Sequence, residues 1–426
     1  MYHYVLRPHC HNINAGTSRT FWRSMMDSAF SIPFLENIFQ RKFSLATEVQ
    51  LLWKGRESFE SIFSAVKKAE RLICLQFYIF KDDETGRELS DLLKEKCREG
   101  VKVYVLYDHF GSFETPRRFW KEMKMAGIQV RASHPFKWTA PFHYVHRDHR
   151  KLIVIDLKQA FTGGLNIANE YRGFHLRRRG RGWRDTGIML EGPIVDELYH
   201  TFRQSWNTWG RKKIYFQGNE KGTTMERQRK RLPSKSLSLL EDGDSVPALP
   251  IFVYSVKGRR RMRSLLRYSI IHAQRNIFLT TAYFIPSHSM VTSLEKAVKR
   301  GVDVRLLVPG KSDIPAASYA GRAFFARLLK AGVKIYTYLE EVLHAKTYLF
   351  DQCWSLVGST NLDYQSLMYN DEGNVGILDQ GFASKMSVIF EEDLKNSVQI
   401  EKERWHSRPL SDKVKEHLFA LFRKRL

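Results

Sequence analysis

The chain has 426 residues, 43% hydrophobic and 27% charged, the balance of a globular protein long enough to bury a core without disulfide or metal staples. No run approaches the roughly 18 uninterrupted apolar residues of a membrane-spanning helix, and the N-terminus lacks the ordered charged, apolar and small-residue blocks of a secretory signal. With 69 basic against 45 acidic residues and a net charge of +24, the expected partner is polyanionic, either nucleic acid or an anionic membrane.

At the start of the chain, His3, His9, Cys10 and His11 offer metal-binding atoms but no second ligand pair, so no metal site is expected. The four cysteines, Cys10, Cys74, Cys97 and Cys353, are scattered and read as reduced thiols. Phe21–Phe43 mixes aromatic and aliphatic residues with Arg23, Arg41 and Lys42. It reads either as a segment lying on anionic lipid, broken at Pro33, or as an extra helix packed on the core. The apolar run Leu72–Phe80 predicts a buried strand, Gly86–Arg98 an amphipathic helix and Lys102–Tyr107 a second strand. Ser287–Lys299 and Asp303–Val308 repeat that helix and strand later in the chain. Such alternation predicts an α/β fold with a largely parallel sheet. Residues 218–250, rich in Lys, Arg, Ser, Gly and Pro, read as a linker. Val414, Leu418, Leu421 and Phe422 stand at helical spacing and predict a packed C-terminal helix.

The alternation reflects an internal repeat. Lys54-Gly55-Arg56 recurs as Lys257-Gly258-Arg259, at an offset of 203. Phe77-Tyr78-Ile79-Phe80 is echoed by Ala282-Tyr283-Phe284-Ile285, and Ala126–Val130 by Ala331–Ile335 at an offset of 205. His149 then pairs with His344 at 195. The drop in offset places ten extra residues of the first copy within 131–145. That insertion carries His134, Phe136, Lys137, Trp138, Phe142, His143 and Tyr144, readable as a membrane-dipping rim, an acyl channel or a plain buried loop. The expected organisation is an N-terminal segment 1–45, a first repeat 46–217, a linker 218–250 and a second repeat 251–426.

The chemistry lies in two matching motifs, His149-x-Lys151-x4-Asp156 and His344-x-Lys346-x4-Asp351. Each is followed by a small-residue turn ending in an amide: Gly163-Gly164-Leu165-Asn166 and Gly358-Ser359-Thr360-Asn361. One match alone is weak; two with the same downstream turn are not coincidence. If the β-branched stretch after each lysine is a strand, the histidine and lysine share one face. The aspartates fall on the opposite parity and read as structural anchors. Two imidazoles, two ammonium groups and two amides suit a phosphodiester. The lysines, Asn166 and Asn361 would hold the non-bridging oxygens, one imidazole would attack phosphorus, and the other would serve the leaving and entering alcohols. Nothing in this set calls for a cofactor or metal.

These motifs resemble the HKD motifs of the phospholipase D superfamily, over nearly the whole chain from about Leu51 onward. Phe77–Phe80, His146–Asp156 running into Phe161–Asn166, and Trp183–Thr186 running into Leu190–Pro193 are most similar to bacterial cardiolipin synthases. The resemblance implies two pseudo-twofold-related α/β/α sandwich halves sharing an active site at their interface. It makes His149 the nucleophile and His344 the acid/base. Glu372 matches a carboxylate that orients a catalytic histidine, and Asp185 is its rough counterpart in the first copy. The implied reaction is phosphatidyl transfer forming cardiolipin from phosphatidylglycerol, with lipid hydrolysis or a nuclease activity of the same superfamily as alternatives. Implied partners are phosphatidylglycerol and other anionic phospholipids at a membrane surface, with nucleic acid disfavoured. The expected place is peripheral, on the cytoplasmic face of a bacterial membrane. Many cardiolipin synthases carry spanning helices ahead of the catalytic core, and this chain resembles a shorter branch without them. Arg172, Arg177, Arg178, Arg179, Arg181 and Arg184 read either as lipid-phosphate ligands or as solvated loop charge. No oligomeric state follows.

Overall fold

The computed structural model describes residues 30–135, 146–173, 182–210, 212–214 and 245–423. The first part runs α1 (Ile32–Phe39), β1 (Ser44–Ala46), β2 (Glu48–Leu52), α2 (Gly55–Lys67), β3 (Leu72–Phe77), α3 (Glu84–Arg98), β4 (Lys102–Asp108), α4 (Arg117–Met125), β5 (Gln129–Ser133), β6 (Leu152–Ile155), β7 (Gln159–Gly163), α5 (Asn169–Arg172), β8 (Trp183–Arg184), β9 (Gly187–Glu191) and α6 (Ile194–Thr208). The second runs β10 (Val246–Val253), α7 (Val256–His272), β11 (Asn276–Thr280), α8 (His288–Lys299), β12 (Asp303–Pro309), α9 (Pro315–Arg322), α10 (Phe325–Ala331), β13 (Lys334–Tyr338), β14 (Val342–Leu343), β15 (Thr347–Phe350), β16 (Trp354–Gly358), α11 (Tyr364–Met368), β17 (Glu372–Leu378), α12 (Gln380–Lys395), β18 (Ser397–Gln399), α13 (Lys402–His406) and α14 (Leu410–Leu421).

The repeat seen in the sequence is a repeat of topology. One sheet has the order β2-β9-β7-β6-β3-β4-β5, and the other β1-β10-β17-β16-β15-β11-β12-β13-β18. Setting aside β1 and β18 at the edges of the second, the two orders correspond strand for strand. Neither sheet is largely parallel, as the alternation suggested. β3, β4 and β5 run parallel, but β6, β7, β9 and β2 pair antiparallel. The reason is connection length: β6 and β7 are joined by three residues, which can only reverse the chain.

Helix ends follow local chemistry. Asp83 caps α3 by accepting from Gly86 N, and Ser287 caps α8 by accepting from Met290 N. Leu89, Leu92 and Leu93 then bury one stripe of α3 against the first sheet. A third core joins the halves. Ile188 and Trp206 of the first part pack in one cluster with Phe252, Val357 and Ile377 of the second. Each fully buried aliphatic side chain there contributes about 1.5–3 kcal/mol.

Several expectations are corrected by packing. Pro33 opens α1 rather than breaking a helix, and Phe30, Leu35 and Phe39 are buried in the core of the second part. For residues 30–45, then, the packed-helix reading holds; residues 1–29, with His3, His9, Cys10 and His11, lie outside the described residues. β1 joins the second sheet, pairing with β10. The last five residues expected as linker, Val246–Pro250, are strand. The C-terminal helix α14 turns the opposite face inward, leaving Val414, Leu418, Leu421 and Phe422 exposed. Among the described residues no helix is long and apolar enough to cross a membrane.

Candidate active site

Each motif histidine and lysine lies just before its strand rather than on it. Ladder pairing begins at Leu152 and Thr347, and the preceding residues form an extended approach held by the opposite half. His149 N donates to Asp371 O at 2.9 Å, and Asp371 N to Arg147 O at 2.8 Å. In the other half, β14 pairs parallel with β8, and His344 N donates to Arg184 O at 2.8 Å. These backbone bonds set each histidine beside the residue that follows its partner. That residue is Glu372 for His149 and Asp185 for His344.

The side chains complete the exchange. His149 Nδ1 lies 3.0 Å from Glu372 Oε2, and His344 Nδ1 lies 2.6 Å from Asp185 Oδ2. A carboxylate at Nδ1 fixes the proton there and leaves Nε2 with its lone pair. Each carboxylate is itself held. Thr186 N donates to Asp185 Oδ1 at 2.6 Å, and the Ser359 hydroxyl donates to Glu372. Position 164 must be glycine, because a Cβ there would sit 2.0 Å from Asp185 Oδ1; its counterpart Ser359 serves Glu372 directly.

The lysines are buried among these groups. Lys151 Nζ donates to His149 O at 2.7 Å, while Lys346 Nζ bonds to His344 O and lies 2.7 Å from His344 Nδ1. Burial lowers the pKa of Lys151 to about 7, with the Lys346 ammonium adding to the effect and Glu372 and Asp185 opposing it. Burial likewise lowers Lys346, against Asp185. Burial and then Lys151 lower His149, with a smaller push from Lys346, while Glu372 opposes. Burial and Lys346 bring His344 to about 4 despite Asp185. Although burial pulls Asp185 upward, Lys346 and His344 hold its pKa below the usual value. The contacts of His149 with Glu372 and of His344 with Asp185 bring residues of both halves together.

Asp156 and Asp351 do not enter it. Each sits at positive φ in the turn after its strand, a conformation Asp tolerates better than most residues. Asp156 accepts from the amides of Glu70, Arg71 and Leu72 at 2.7–2.8 Å. Asp351 accepts from those of Gln274, Arg275 and Asn276 at 2.7–3.1 Å. Each ties its hairpin to the start of the neighbouring strand. The asparagines are buried with oxygens already engaged: Asn166 Oδ1 accepts from Ile79 N, and Asn361 Oδ1 from Tyr283 N. Asn166 Nδ2 donates to the Tyr171 hydroxyl at 2.8 Å.

Sequence reasoning did not single out the surrounding support. The Tyr78 ring meets His149 edge-on at 5.0 Å, and Tyr171, Trp183 and Tyr283 surround His344 at 5.2–6.3 Å. The repeated Phe-Tyr and Ala-Tyr dipeptides were the signal for Tyr78 and Tyr283. Arg150 forms a buried fork on Asp148 at 2.7 and 3.0 Å and reaches Asp371 across the halves at 3.4 Å. Arg184 is no lipid ligand: it is buried and paired with Asp393 at 2.9 and 2.8 Å. Arg172 pairs with Glu88. Arg177, Arg178, Arg179 and Arg181 lie outside the described residues, as does the stretch 136–145 with Phe136, Lys137, Trp138, Phe142, His143 and Tyr144. Among the described residues no group of three or more His, Cys, Asp and Glu side chains is placed to hold a metal.

Two halves of one topology, each lending a histidine–lysine pair to the other's carboxylate, define an enzyme of the phospholipase D class. The chain belongs to the cardiolipin synthase family of that superfamily: a family described as "Cardiolipin synthase, PLD-like domain" matches residues 62–206 and 266–394. A probable cardiolipin synthase of Bacillus subtilis, YwiE, is 33% identical over 383 residues, covering 88% of this chain and 72% of its own. A cardiolipin synthase of Geobacillus kaustophilus is 33% identical over 385 residues, 90% of this chain and 73% of its own. The solved phosphatidylserine synthase of Haemophilus influenzae shares the fold, with a TM-score of 0.71 at 14% identity over 92% of this chain and 98% of that one.

Proposed function

We propose that this chain is a phosphatidyltransferase that condenses two phosphatidylglycerol molecules into cardiolipin and free glycerol, using residues of both repeats, 46–217 and 251–426. The observation that carries the reading is the crossed pairing of His149 with Glu372 and His344 with Asp185 around two buried lysines. His149 Nε2 attacks phosphorus of the first lipid. A P–N bond forms and the P–O bond to the glycerol headgroup breaks. His344, protonated at Nε2, gives its proton to the departing glycerol oxygen. A headgroup hydroxyl of the second lipid then loses its proton to His344 and attacks phosphorus, releasing His149. Lys151 and Lys346 meet the charge on the non-bridging oxygens, and Asn166 and Asn361 close the back of the phosphate site. Asp156 and Asp351 hold the hairpins that present each pair. The anionic substrate raises the pKa of His344 from its low value in the free site, loading the acid as the lipid binds.

The test is purified protein with phosphatidylglycerol vesicles, with and without phosphatidylethanolamine, followed by mass spectrometry of the lipids and assay of glycerol. The expected result is one glycerol released per cardiolipin formed. Phosphatidic acid as the sole product would make the chain a hydrolase instead.

A further inference from the structure

Five large apolar side chains on α14 and at its C-cap are exposed. Leu410, Val414, Leu418, Leu421 and Phe422 are 75, 59, 51, 78 and 50% exposed. At 3.6 residues per turn they form one stripe roughly 120° wide. The opposite face is the packed one. Glu416 is fully buried between Arg322 at 3.1 Å and Arg408 at 2.5 Å, and Phe419 stacks on Tyr319 of α9 at 5.9 Å. The helix is thus anchored by a charged and aromatic face and presents its aliphatic face outward, the reverse of ordinary packing.

Its place is beside the catalytic site. Phe419 packs with Tyr283 against Ile285, Ala317 and Ala320. The Tyr283 hydroxyl donates to Asp313 at 2.6 Å, and its ring lies 6.3 Å from that of His344. Lys415 borders the stripe on one side, and Lys413 and His417 on the other, in a chain of net charge +24. An apolar stripe edged by cations complements an anionic bilayer: the aliphatic side chains enter the acyl boundary and the lysines stay at the headgroups.

We propose that α14 is an interfacial docking helix that seats the mouth of the active site on a bilayer of anionic phospholipid. This names the surface on which the reaction proposed above takes place, and it rests on that reading for its biological setting only.

The experiment uses the full chain and the double variant Leu418→Glu/Leu421→Glu with equimolar phosphatidylglycerol–phosphatidylcholine vesicles. Flotation should show vesicle affinity lowered roughly tenfold or more. Turnover of dispersed short-chain phosphatidylglycerol should be unchanged. Val414→Trp should raise vesicle affinity with an unchanged denaturant melt. Unaltered vesicle binding in both variants would overturn the proposal. So would a shift of the double variant from dimer to monomer with vesicle binding intact, which would make the stripe a contact between copies. Loss of vesicle binding by variants of a chain that makes no cardiolipin from either lipid form would sustain the docking surface and refute the proposed reaction.

Discussion

The two histidines occupy related but unequal niches. Among the described residues, His149 meets Glu372 at 3.0 Å and one aromatic ring, Tyr78. His344 meets Asp185 at 2.6 Å, has Lys346 Nζ 2.7 Å from the same nitrogen, and is enclosed by Tyr171, Trp183 and Tyr283. Burial and Lys346 take His344 to about 4. A weakly basic imidazole is a poor nucleophile but, once protonated, a strong acid. Both imidazoles are lowered by burial, and the proposed mechanism assigns attack to His149 and proton transfer to His344.

The orienting carboxylates test this difference with the largest expected effects. Glu372→Gln and Asp185→Asn should each lower kcat by up to about 10⁴-fold, because the amide favours the wrong tautomer. A lipid substrate with a nitrophenolate leaving group should recover much of the loss in Asp185→Asn and little in Glu372→Gln. Equal recovery in both would erase the distinction between the niches.

Lysine substitutions come next. Lys151→Met and Lys346→Met should each cost about 10²–10³-fold in kcat/KM, the effect of losing one charge-stabilising donor. Both ammonium groups are held against burial, so each variant should melt higher than the parent at pH 7, by a few degrees for about 1–3 kcal/mol. A lower melting temperature in both would mean that the lysines hold the interface together rather than being held by it.

Asp156→Ala and Asp351→Ala should leave the reacting groups in place and lower stability by about 1–3 kcal/mol each, from the lost hydrogen bonds to a charged carboxylate. Denaturant melts would show this, with similar values in the two halves. A large loss of kcat without loss of stability would assign either residue to the chemistry.

The smallest effects concern pH. With Lys151 lowered to about 7, its ammonium disappears as pH rises, so kcat/KM should fall above about pH 7. Lys151→Arg should move that limb to higher pH. For stability the sign is opposite: the unfolded chain takes up a proton that folded His344 refuses. Stability should therefore drop as pH falls from the ordinary histidine value of 6.5 toward about 4. His344→Gln should flatten that slope.

Much of this architecture was legible in the sequence. Repeated motifs at offsets of 195 to 205 residues pointed to the two-half fold, and the parity of the aspartates set them apart from the histidines. The crossed pairing was not legible, because the partners stand 223 and 159 residues apart and spacing relates Glu372 to Asn361 of its own copy instead. Arg184 and Glu416 show a second limit. Composition assigns charges to solvent, but a charge with a well-placed opposite partner can take a buried position, as Asp393 permits for Arg184. Periodicity likewise found the stripe on α14 without revealing which face would be covered.

The most direct test of the account traps the covalent intermediate. Protein mixed briefly with phosphatidylglycerol, quenched without acid and digested, should carry a phosphatidyl adduct on His149 by peptide mass spectrometry. His149→Ala should carry none. His344→Ala should form the adduct only from the nitrophenyl substrate, whose leaving group needs no proton. An adduct on His344, with the rescue pattern reversed, would contradict the assignment of roles.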